Sequence, residues 1–496
     1  MKKSVFLSIL SGLFLSLSFS SFNLWLFGWC GFIPLFIALE NKTLGQAFII
    51  AYLGGIVFWI LDIYWLIHVT LIGQAVLILY LAIYFGVFGC VFSLARGLPA
   101  ARRLFFIPVA WVLLEYMRSY LFTGFPWSLI GFSQYRNLPV IQIADITGAW
   151  GVSFLVVLVN AALYLTLRKQ SRIKISLIAS AILILSLIYG FHKLSYRPNF
   201  LGGARSLKIA VIQGNIPQDL KWNKQAVNFI LNDYKELTIA ASKDNPDLII
   251  WPEASVPGLW GQDDAEFAQV FSIARQLKIN LLVGAVSHFQ QNYFNSALSI
   301  DKSGTPTAIY SKLHLVPFGE YVPLKNIFPF LETITPIGDI EPGSDYTIFK
   351  QPADFGVLIC FEDLFPALSR QFVRRGAKFL VNITNDAWYK EGSAPFQHFA
   401  ASVFRAIENR VYLARAANTG ISGFIDPFGR PLSVVHNARG CEIFVKGYSS
   451  QSIYLLPFKP TFYNRYGDLF VIFCILFGVC VVIFNFSDRK KLRDLV

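Results

Sequence analysis

The chain has 496 residues, of which 55% are hydrophobic and only 15% are charged, whereas globular domains carry about 25% charged residues. Its formal net charge is +13 at pH 7. An apolar and basic composition argues against an intrinsically disordered chain, a collagen-like fibre and a small disulfide-linked domain.

The charges divide the chain into two kinds of segment. Residues 206–467 hold 24 Lys or Arg against 23 Asp or Glu, whereas the rest of the chain holds 19 against 7. Nearly all of the basicity therefore belongs to the apolar segments. This distribution favours a membrane protein over a nucleic-acid-binding protein, and we expect no nucleic-acid partner.

Eight apolar stretches are long enough to cross about 30 Å of hydrocarbon, which takes roughly 20 residues. They lie near residues 4–20, 22–39, 46–68, 71–95, 105–122, 150–167, 175–192 and 468–487. The first stretch, preceded by Lys2 and Lys3, also fits a signal peptide, although no Ala-x-Ala-like cleavage site is evident and a second apolar run follows at once. We predict a membrane domain over residues 1–195 and a C-terminal transmembrane helix over 468–487.

Positive charges cluster at alternate ends of these stretches. With the N-terminus inside, the inside segments carry 14 basic residues, and the short outside connections hold little beyond Arg136 and, near a span end, Arg118. The positive-inside rule then predicts that both termini are cytoplasmic and that residues 193–467 lie outside, in a periplasm or its equivalent.

Few ionisable residues lie within the apolar stretches, and they are Asp62, His68, Glu115 and Asp145. We expect Asp62, His68 and Asp145 to lie near span ends, where water reaches them. An alternative is a transporter that carries a catalytically inactive sensor domain. So few mid-span charges, together with the lack of a visible internal repeat, weaken this alternative.

From about residue 206 the sequence changes to short β-rich runs that alternate with helical ones. Strands are predicted at 207–213, 247–253, 280–286, 355–360, 378–384 and 412–418, and helices near 222–242, 263–277 and 396–410. Continuous apolar strands that alternate with helices predict an α/β domain whose sheet is covered by helices. We place this domain at residues 206–455.

Three residues of chemical interest end or follow predicted strands, where α/β folds form their sites. Glu253 follows Trp-Pro, Lys312 lies in YSKLHLVPFGEYVP, and Cys360 ends FGVLIC. A cysteine nucleophile needs a nearby base, which a carboxylate can provide, and a lysine can stabilise an oxyanion. Each residue alone also fits an ordinary structural role, so their joint occurrence is what favours a catalytic site.

The order of Glu253, Lys312 and Cys360 resembles the Glu-Lys-Cys triad of the nitrilase, or carbon-nitrogen hydrolase, superfamily over about residues 206–450. The added apolar stretches resemble one branch of it, the bacterial apolipoprotein N-acyltransferase family. The strings similar to that family are GNIPQDLKW (214–222), WPEASVP (251–257), KLHLVPFGEYVP (312–323), ICFEDLFP (359–366) and TNDAWY (384–389). The resemblance implies a polytopic α-helical membrane domain of about eight transmembrane helices, joined to an extracytoplasmic α/β nitrilase-like α-β-β-α sandwich.

This resemblance implies ping-pong acyl transfer in the bacterial inner (cytoplasmic) membrane, without a cofactor. Cys360 would attack the acyl ester of a phospholipid donor, and the N-terminal amine of a diacylated apolipoprotein acceptor would take the acyl chain from the thioester. Glu253 would be the general base, and Lys312 would stabilise the oxyanion. We expect no metal site, because the six histidines lack ligand spacing.

Further residues match the family by motif. Glu320 and Glu362 match additional carboxylates, the N–H of Phe361 is an expected oxyanion donor, and Trp222 and Trp388 are expected to contact substrate. Two residues depart from the family pattern. Phe361 stands where a tyrosine is expected, which puts a hydroxyl role there in doubt, and Lys390 follows DAWY where glycine is frequent.

Residues 323–337 read PLKNIFPFLETITPI, an apolar loop punctuated by proline. An apolar patch on a soluble domain usually marks an interface. The loop either packs on its own domain or forms a lid that dips into the outer leaflet and admits acyl chains, with Phe328 and Phe330 in contact with lipid.

The triad alone does not separate an acyltransferase from a membrane-tethered carbon-nitrogen hydrolase of amidase or nitrilase type, which would release the acyl group to water. The membrane domain and the apolar loop favour a lipid donor. Since every required part lies on one chain, we expect the protein to work as a monomer.

Overall fold

The computed structural model describes residues 1–19, 23–170, 172–195, 205–221, 223–322, 340–457 and 459–493. The chain folds into two compact units. The first contains Met1–Tyr196 and Tyr466–Val496, and the second contains Arg197–Arg465.

The first unit is helical. Its α-helices are α1 (Lys2–Leu17), α2 (Ile33–Ala38), α3 (Leu44–Asp62), α4 (Leu71–Leu94), α5 (Ala100–Tyr120), α6 (Leu138–Ile141), α7 (Ala144–Thr147), α8 (Ala149–Leu167), α9 (Arg172–Ser195) and, near the C-terminus, a last helix over Leu469–Arg493. Four helical segments of the described chain are long and apolar enough to cross a membrane: Leu44–Asp62, Leu71–Gly97, Ala149–Leu167 and Ile173–Ser195. Four of the eight predicted spans therefore have a helix that meets both conditions.

The predicted span near residues 22–39 is not one helix. It is divided into a 3-10 helix over Trp25–Trp29 and the short helix α2. Asn160 of α8 hydrogen-bonds to the backbone on both sides of the break, because its Oδ1 accepts from the Phe32 N–H at 3.0 Å and its Nδ2 donates to the carbonyl of Gly28, in the 3-10 helix, at 2.8 Å. Non-helical backbone is tolerated at membrane depth where protein groups satisfy it.

The expectation that water reaches Asp62 and Asp145 is wrong. Asp62 is 2% exposed and Asp145 is 4% exposed. Asp145 is compensated inside the unit, because the Tyr189 hydroxyl donates to it at 2.8 Å and the Lys193 ammonium lies 3.3 Å away. His68 is exposed, as expected.

The second unit contains two β-sheets and five α-helices in the described residues. Its strands are β1 (Ser206–Gln213), β2 (Leu248–Ile250), β3 (Leu259–Trp260), β4 (Asn280–Phe289), β5 (Asn292–Ile300), β6 (Pro306–Ser311), β7 (Phe355–Ile359), β8 (Phe379–Thr384), β9 (Leu413–Ala417), β10 (Gly423–Ile425), β11 (Pro431–Val434) and β12 (Gly447–Tyr454). Its helices are α10 (Val227–Ser242), α11 (Asp264–Leu277), α12 (Pro366–Arg374), α13 (Ala394–Asn409) and α14 (Phe462–Tyr466), so the helix over Leu469–Arg493 is α15.

The seven-stranded sheet has the order β12-β1-β2-β4-β5-β6, with β3 paired to β4, and the five-stranded sheet has the order β11-β10-β9-β8-β7. The strands β1, β2 and β4 are parallel, as are β7, β8 and β9. Helices α10 and α11 cover the first sheet and α12 and α13 cover the second, while the sheets pack on each other through β1 with β9 and β5 with β7. The unit therefore has the predicted α-β-β-α layers.

Candidate active site

The site residues come from strand ends of both sheets. Lys312 follows β6 directly, and Glu253 lies three residues after β2 of the same sheet. Cys360 follows β7 of the other sheet and begins a 3-10 helix over Cys360–Leu364. Because the two sheets are packed face to face, residues far apart in sequence meet at this edge.

The nucleophile candidate has a strained backbone. Cys360 has φ of 51°, a left-handed conformation that a residue with a side chain adopts at a cost and that is frequent at functional sites. Its carbonyl oxygen is held from inside the unit, since Asn382 Nδ2 donates to it at 3.3 Å and His398 Nε2 lies 3.2 Å away. The next N–H, that of Phe361, lies in the first turn of the 3-10 helix, where backbone donors lack acceptors within the helix.

Lys312 lies between two carboxylates. Its Nζ is 2.8 Å from Glu320 Oε2, 3.0 Å from Glu320 Oε1 and 3.8 Å from Glu253 Oε1. Asn295 of β5 joins the carboxylates, because its Nδ2 donates to Glu253 Oε1 and to Glu320 Oε1 at 2.7 Å each. The structure therefore brings Glu253, Lys312 and Glu320 together, as the sequence predicts, and adds Asn295, which we had not predicted.

Burial and mutual charge set the proton positions. Burial raises the pKa of the Cys360 thiol well above its usual range, the Glu253 charge raises it further, and the Lys312 charge opposes both. Burial also raises the pKa of Glu253, which the Lys312 charge opposes. For Lys312, burial lowers the pKa, but the charges of Glu320 and Glu253 outweigh it and the net pKa is raised. Cys360 is thus a protonated thiol at rest, and it needs a base.

Glu362 connects the lysine loop to the cysteine turn. Its Oε1 accepts from the N–H groups of Leu313 at 2.7 Å and His314 at 3.1 Å, and its Oε2 accepts from the Ile359 N–H at 2.7 Å. The Tyr310 hydroxyl donates to both oxygens, at 2.8 and 3.0 Å. Because these partners flank Lys312 and Cys360 in sequence, Glu362 fixes the two loops relative to each other.

A buried charged cluster that we had not predicted lies behind Cys360. The His398 imidazole has Nδ1 2.9 Å from Asp386 Oδ1 and Nε2 2.9 Å from Asp363 Oδ1. Arg415 pairs with Asp363 at 2.9 Å and with Asp386 at 3.4 Å. Burial lowers the pKa of His398, but the Asp363 charge and hydrogen bond outweigh this effect and raise it to about 9. The only sequence signal was the position of both aspartates inside the ICFEDLFP and TNDAWY strings.

The structure describes only some of the remaining residues that the sequence predicts for the site. Trp388 is 50% exposed in a 3-10 helix over Asp386–Tyr389, and Lys390, which follows this helix, has φ of 52°, a conformation that favours glycine. Trp222, Phe328 and Phe330 lie outside the described residues. Among the residues described, no group of three or more His, Cys, Asp or Glu side chains is arranged to hold a metal ion.

Two family models match the chain. The model for the apolipoprotein N-acyltransferase N-terminal domain matches residues 11–162, and the model for carbon-nitrogen hydrolase matches residues 208–440. The two matches fall on the helical unit and on the two-sheet unit respectively.

Individual proteins match over most of their length. The apolipoprotein N-acyltransferase of Geobacter metallireducens is 37% identical over 519 residues, which cover 99% of this chain and 97% of that protein. The protein of the same description from Rickettsia prowazekii is 33% identical, over 86% of this chain and 84% of its own length. Among solved structures, an amidase from Nesterenkonia sp. aligns with 54% of this chain and 95% of its own, at 20% identity and a TM-score of 0.40.

Proposed function

The chain belongs to the apolipoprotein N-acyltransferase family, as its sequence strings predict, and is an enzyme that acylates lipoproteins; we propose that it takes the acyl chain from a phospholipid and carries it as a thioester on Cys360. The acceptor in this proposal is the α-amino group of the diacylglyceryl-cysteine at the N-terminus of an apolipoprotein.

One observation supports the chemistry above all others. A buried thiol lies in the same site as a lysine whose ammonium group is 2.8 Å from one carboxylate and 3.8 Å from another. The thiol is a nucleophile only after deprotonation, and a buried carboxylate with a raised pKa is suited to take its proton. The geometry therefore supports Glu253 as the general base for Cys360.

The first half-reaction begins when Glu253 takes the Cys360 proton. The thiolate attacks the ester carbonyl of the phospholipid, and the oxyanion that forms is stabilised by Lys312 and the Phe361 N–H. The C–O bond then breaks, the Glu253 proton passes to the departing alkoxide oxygen, which becomes the hydroxyl of the lysophospholipid, and Cys360 retains the acyl chain as a thioester.

In the second half-reaction the α-amine attacks the thioester carbonyl. Glu253 takes the amine proton, the C–S bond breaks and an amide forms, and the proton returns to the thiolate. Glu320 holds Lys312 throughout, and Asn295 keeps both carboxylates in place. Because no bond is oxidised or reduced, the cycle needs no cofactor.

The membrane arrangement belongs to the same proposal. Four apolar helices of sufficient length and the further apolar segments Trp25–Ala38 and Leu469–Phe484 support membrane insertion. With the charge distribution, we infer about eight spans, cytoplasmic termini and a catalytic unit on the outer side of the bacterial inner membrane. A monomer would suffice. The loop at residues 323–337, for which a lid is one of the two predicted roles, lies outside the described residues.

The test is to incubate the purified full-length protein with a phospholipid labelled in its acyl chains and to trap the acyl-enzyme. We expect a hydroxylamine-sensitive label on the peptide that contains Cys360, absent in Cys360→Ala and discharged by a diacylated lipopeptide. Label that is released to water as free fatty acid, with none on the lipopeptide, would favour a hydrolase over an acyltransferase. A folded protein without label on Cys360 would refute the thioester mechanism.

A further inference from the structure

Lys221 is a second buried lysine near the site, and it belongs to the loop that follows β1. The loop is fixed by Asn418, whose Oδ1 accepts from the Ile216 N–H at 2.9 Å and whose Nδ2 donates to the Ile216 carbonyl at 2.7 Å. Asn385 donates to Gln218 in the same loop at 2.6 Å. These contacts hold the loop against the strand ends of the five-stranded sheet.

The Lys221 side chain points from this loop to the base of the site. It is 4% exposed, and its Nζ donates to the backbone carbonyl of Glu253 at 3.0 Å. Burial lowers the pKa of Lys221 to about 8, and the negative charges of Glu253 and Cys360 oppose that decrease. A buried ammonium group with one neutral acceptor among the described residues is costly unless nearby anions compensate its charge.

The charges of the site explain why a second cation is useful. Glu320 already forms a close ion pair with Lys312 through both of its oxygens. When Glu253 has taken the thiol proton, the site contains two anions, the Glu320 carboxylate and the Cys360 thiolate. Lys312 offsets one of these two charges, which leaves one negative charge in excess. The neighbouring cluster of Asp363, Asp386, His398 and Arg415 is neutral as a whole when the histidine is protonated, so it supplies no net positive charge.

We propose that Lys221 is a positioning residue of the acyl-transfer site, whose ammonium charge compensates the Cys360 thiolate and whose hydrogen bond fixes the backbone of Glu253. With Lys221 charged and Glu253 protonated, the charges of Lys221, Lys312, Glu320 and the thiolate sum to zero. The inference rests on the proposed function, because it assigns Lys221 to the nucleophile and base of that reaction.

The test measures how fast iodoacetamide alkylates Cys360 in the detergent-solubilised full chain at about pH 7.5, which is below the pKa of about 8 of Lys221. Mass spectrometry of the Cys360 peptide separates this thiol from the exposed Cys441. Lys221→Gln keeps a hydrogen-bond donor for the Glu253 carbonyl but removes the charge, whereas Lys221→Arg keeps the charge. The matched control is Lys224→Gln, because Lys224 is an exposed lysine three residues further along the chain.

We expect Lys221→Gln to lower the alkylation rate near pH 7.5 about tenfold, because the loss of a neighbouring charge typically raises the pKa of a thiol by about one unit or more. Lys221→Arg should keep a rate near that of the wild type, and Lys224→Gln should not change it. A wild-type rate in folded Lys221→Gln, judged by an unchanged apparent Tm, would overturn the proposal.

The variants also separate this proposal from the proposed function. If Lys221→Gln does not fold, a lowered alkylation rate in folded Lys221→Arg contradicts the charge role, and a rate near that of the wild type supports it. Trapping of the acyl-enzyme in the wild type tests the thioester on Cys360 independently. Loss of that label would remove the acyl-transfer proposal, whereas the alkylation rates report the effect of Lys221 on the thiol in either case.

Discussion

Replacing Glu362 with glutamine tests whether this carboxylate holds the lysine loop and the cysteine turn together. A glutamine oxygen can replace Oε1 and accept from the N–H groups of Leu313 and His314. The amide nitrogen then stands where Oε2 accepts from the Ile359 N–H at 2.7 Å. Since both groups are donors, the Ile359 N–H loses its acceptor inside a buried turn.

The cost follows from that single lost contact. A buried backbone donor left without an acceptor costs about 1–3 kcal/mol, so the free energy of unfolding of the catalytic unit should fall by that amount. For a domain of more than about 150 residues, each kcal/mol lowers Tm by about 2–4 °C. The turn also carries the nucleophile, and a displacement of about 1 Å between reacting groups lowers the rate on the order of 100-fold.

The effect on stability depends on pH in a defined direction. Burial raises the pKa of Glu362 from 4.5 to about 7, against the hydrogen bonds of Ile359, Tyr310 and His314 and the Lys312 charge. The folded chain therefore binds this proton more tightly than the unfolded chain, and the associated stability is complete below about pH 4.5 and lost as pH rises through about 7. Glutamine does not titrate, so the difference in Tm between wild type and variant should shrink over that interval.

The assays are thermal unfolding of the detergent-solubilised protein between about pH 5 and about pH 8, and acyl transfer to a lipopeptide. Glu408→Gln is the matched control, because Glu408 is another fully buried carboxylate of the same unit that pairs with Arg405 at 2.9 Å. We expect this control to lower Tm and to keep kcat. Wild-type values of both Tm and kcat in Glu362→Gln would refute the connecting role.

Three further changes test other parts of the structure. In the wild type, the apparent Tm should decrease between about pH 7 and about pH 10, because the pKa of His398 is raised to about 9 in the folded chain and the stability that this gives is lost as the imidazole deprotonates. His398→Gln should remove this decrease. The same dependence of Tm on pH in the variant would contradict the charged cluster. Asn160→Leu should lower the free energy of unfolding by about 2–4 kcal/mol, and the apparent Tm with it, since two backbone groups of the broken span lose their partner. An unchanged Tm would contradict this role of Asn160. Serine at Phe328 and Phe330 should impair use of phospholipid more than iodoacetamide alkylation of Cys360, and equal loss of both would count against a lid.

Much of the catalytic unit was predictable because its strands are buried on both faces. Such strands appear as short continuous apolar runs, and β1, β4, β7, β8 and β9 all begin within one residue of the predicted positions. The residues at their ends were predictable for the same reason, since a polar residue directly after an apolar strand is noticeable. The predicted strand at 247–253 is shorter in the structure, where β2 ends at Ile250 and the Trp-Pro-Glu segment forms the turn that carries Glu253.

Partners that lie far apart in sequence were not predictable. Asn295 and His398 reach the site from the middle of a strand and from a helix, and neither position shows in hydropathy or spacing. The broken span in the helical unit was missed for the same reason. Its apolar composition fits an unbroken helix, and its polar partners lie elsewhere in the chain, among them Asn160, about 130 residues further on. Periodicity reports which face is buried, and it does not report which polar group meets another across the core.

The raised pKa of Cys360 reconciles a reactive thiol with the position that we propose for it outside the cytoplasm. Oxidants act on the thiolate rather than on the thiol, and susceptibility follows thiolate character and exposure. Cys360 is 7% exposed and protonated at rest, so it is protected while no ester is bound. In the proposed mechanism, proton transfer to Glu253 creates the thiolate only inside the site, where Lys312 and Lys221 compensate its charge. The excess of basic residues lies in the apolar segments, whereas this unit holds nearly equal numbers of acidic and basic residues. Two of its lysines, Lys221 and Lys312, make hydrogen bonds at the proposed active site.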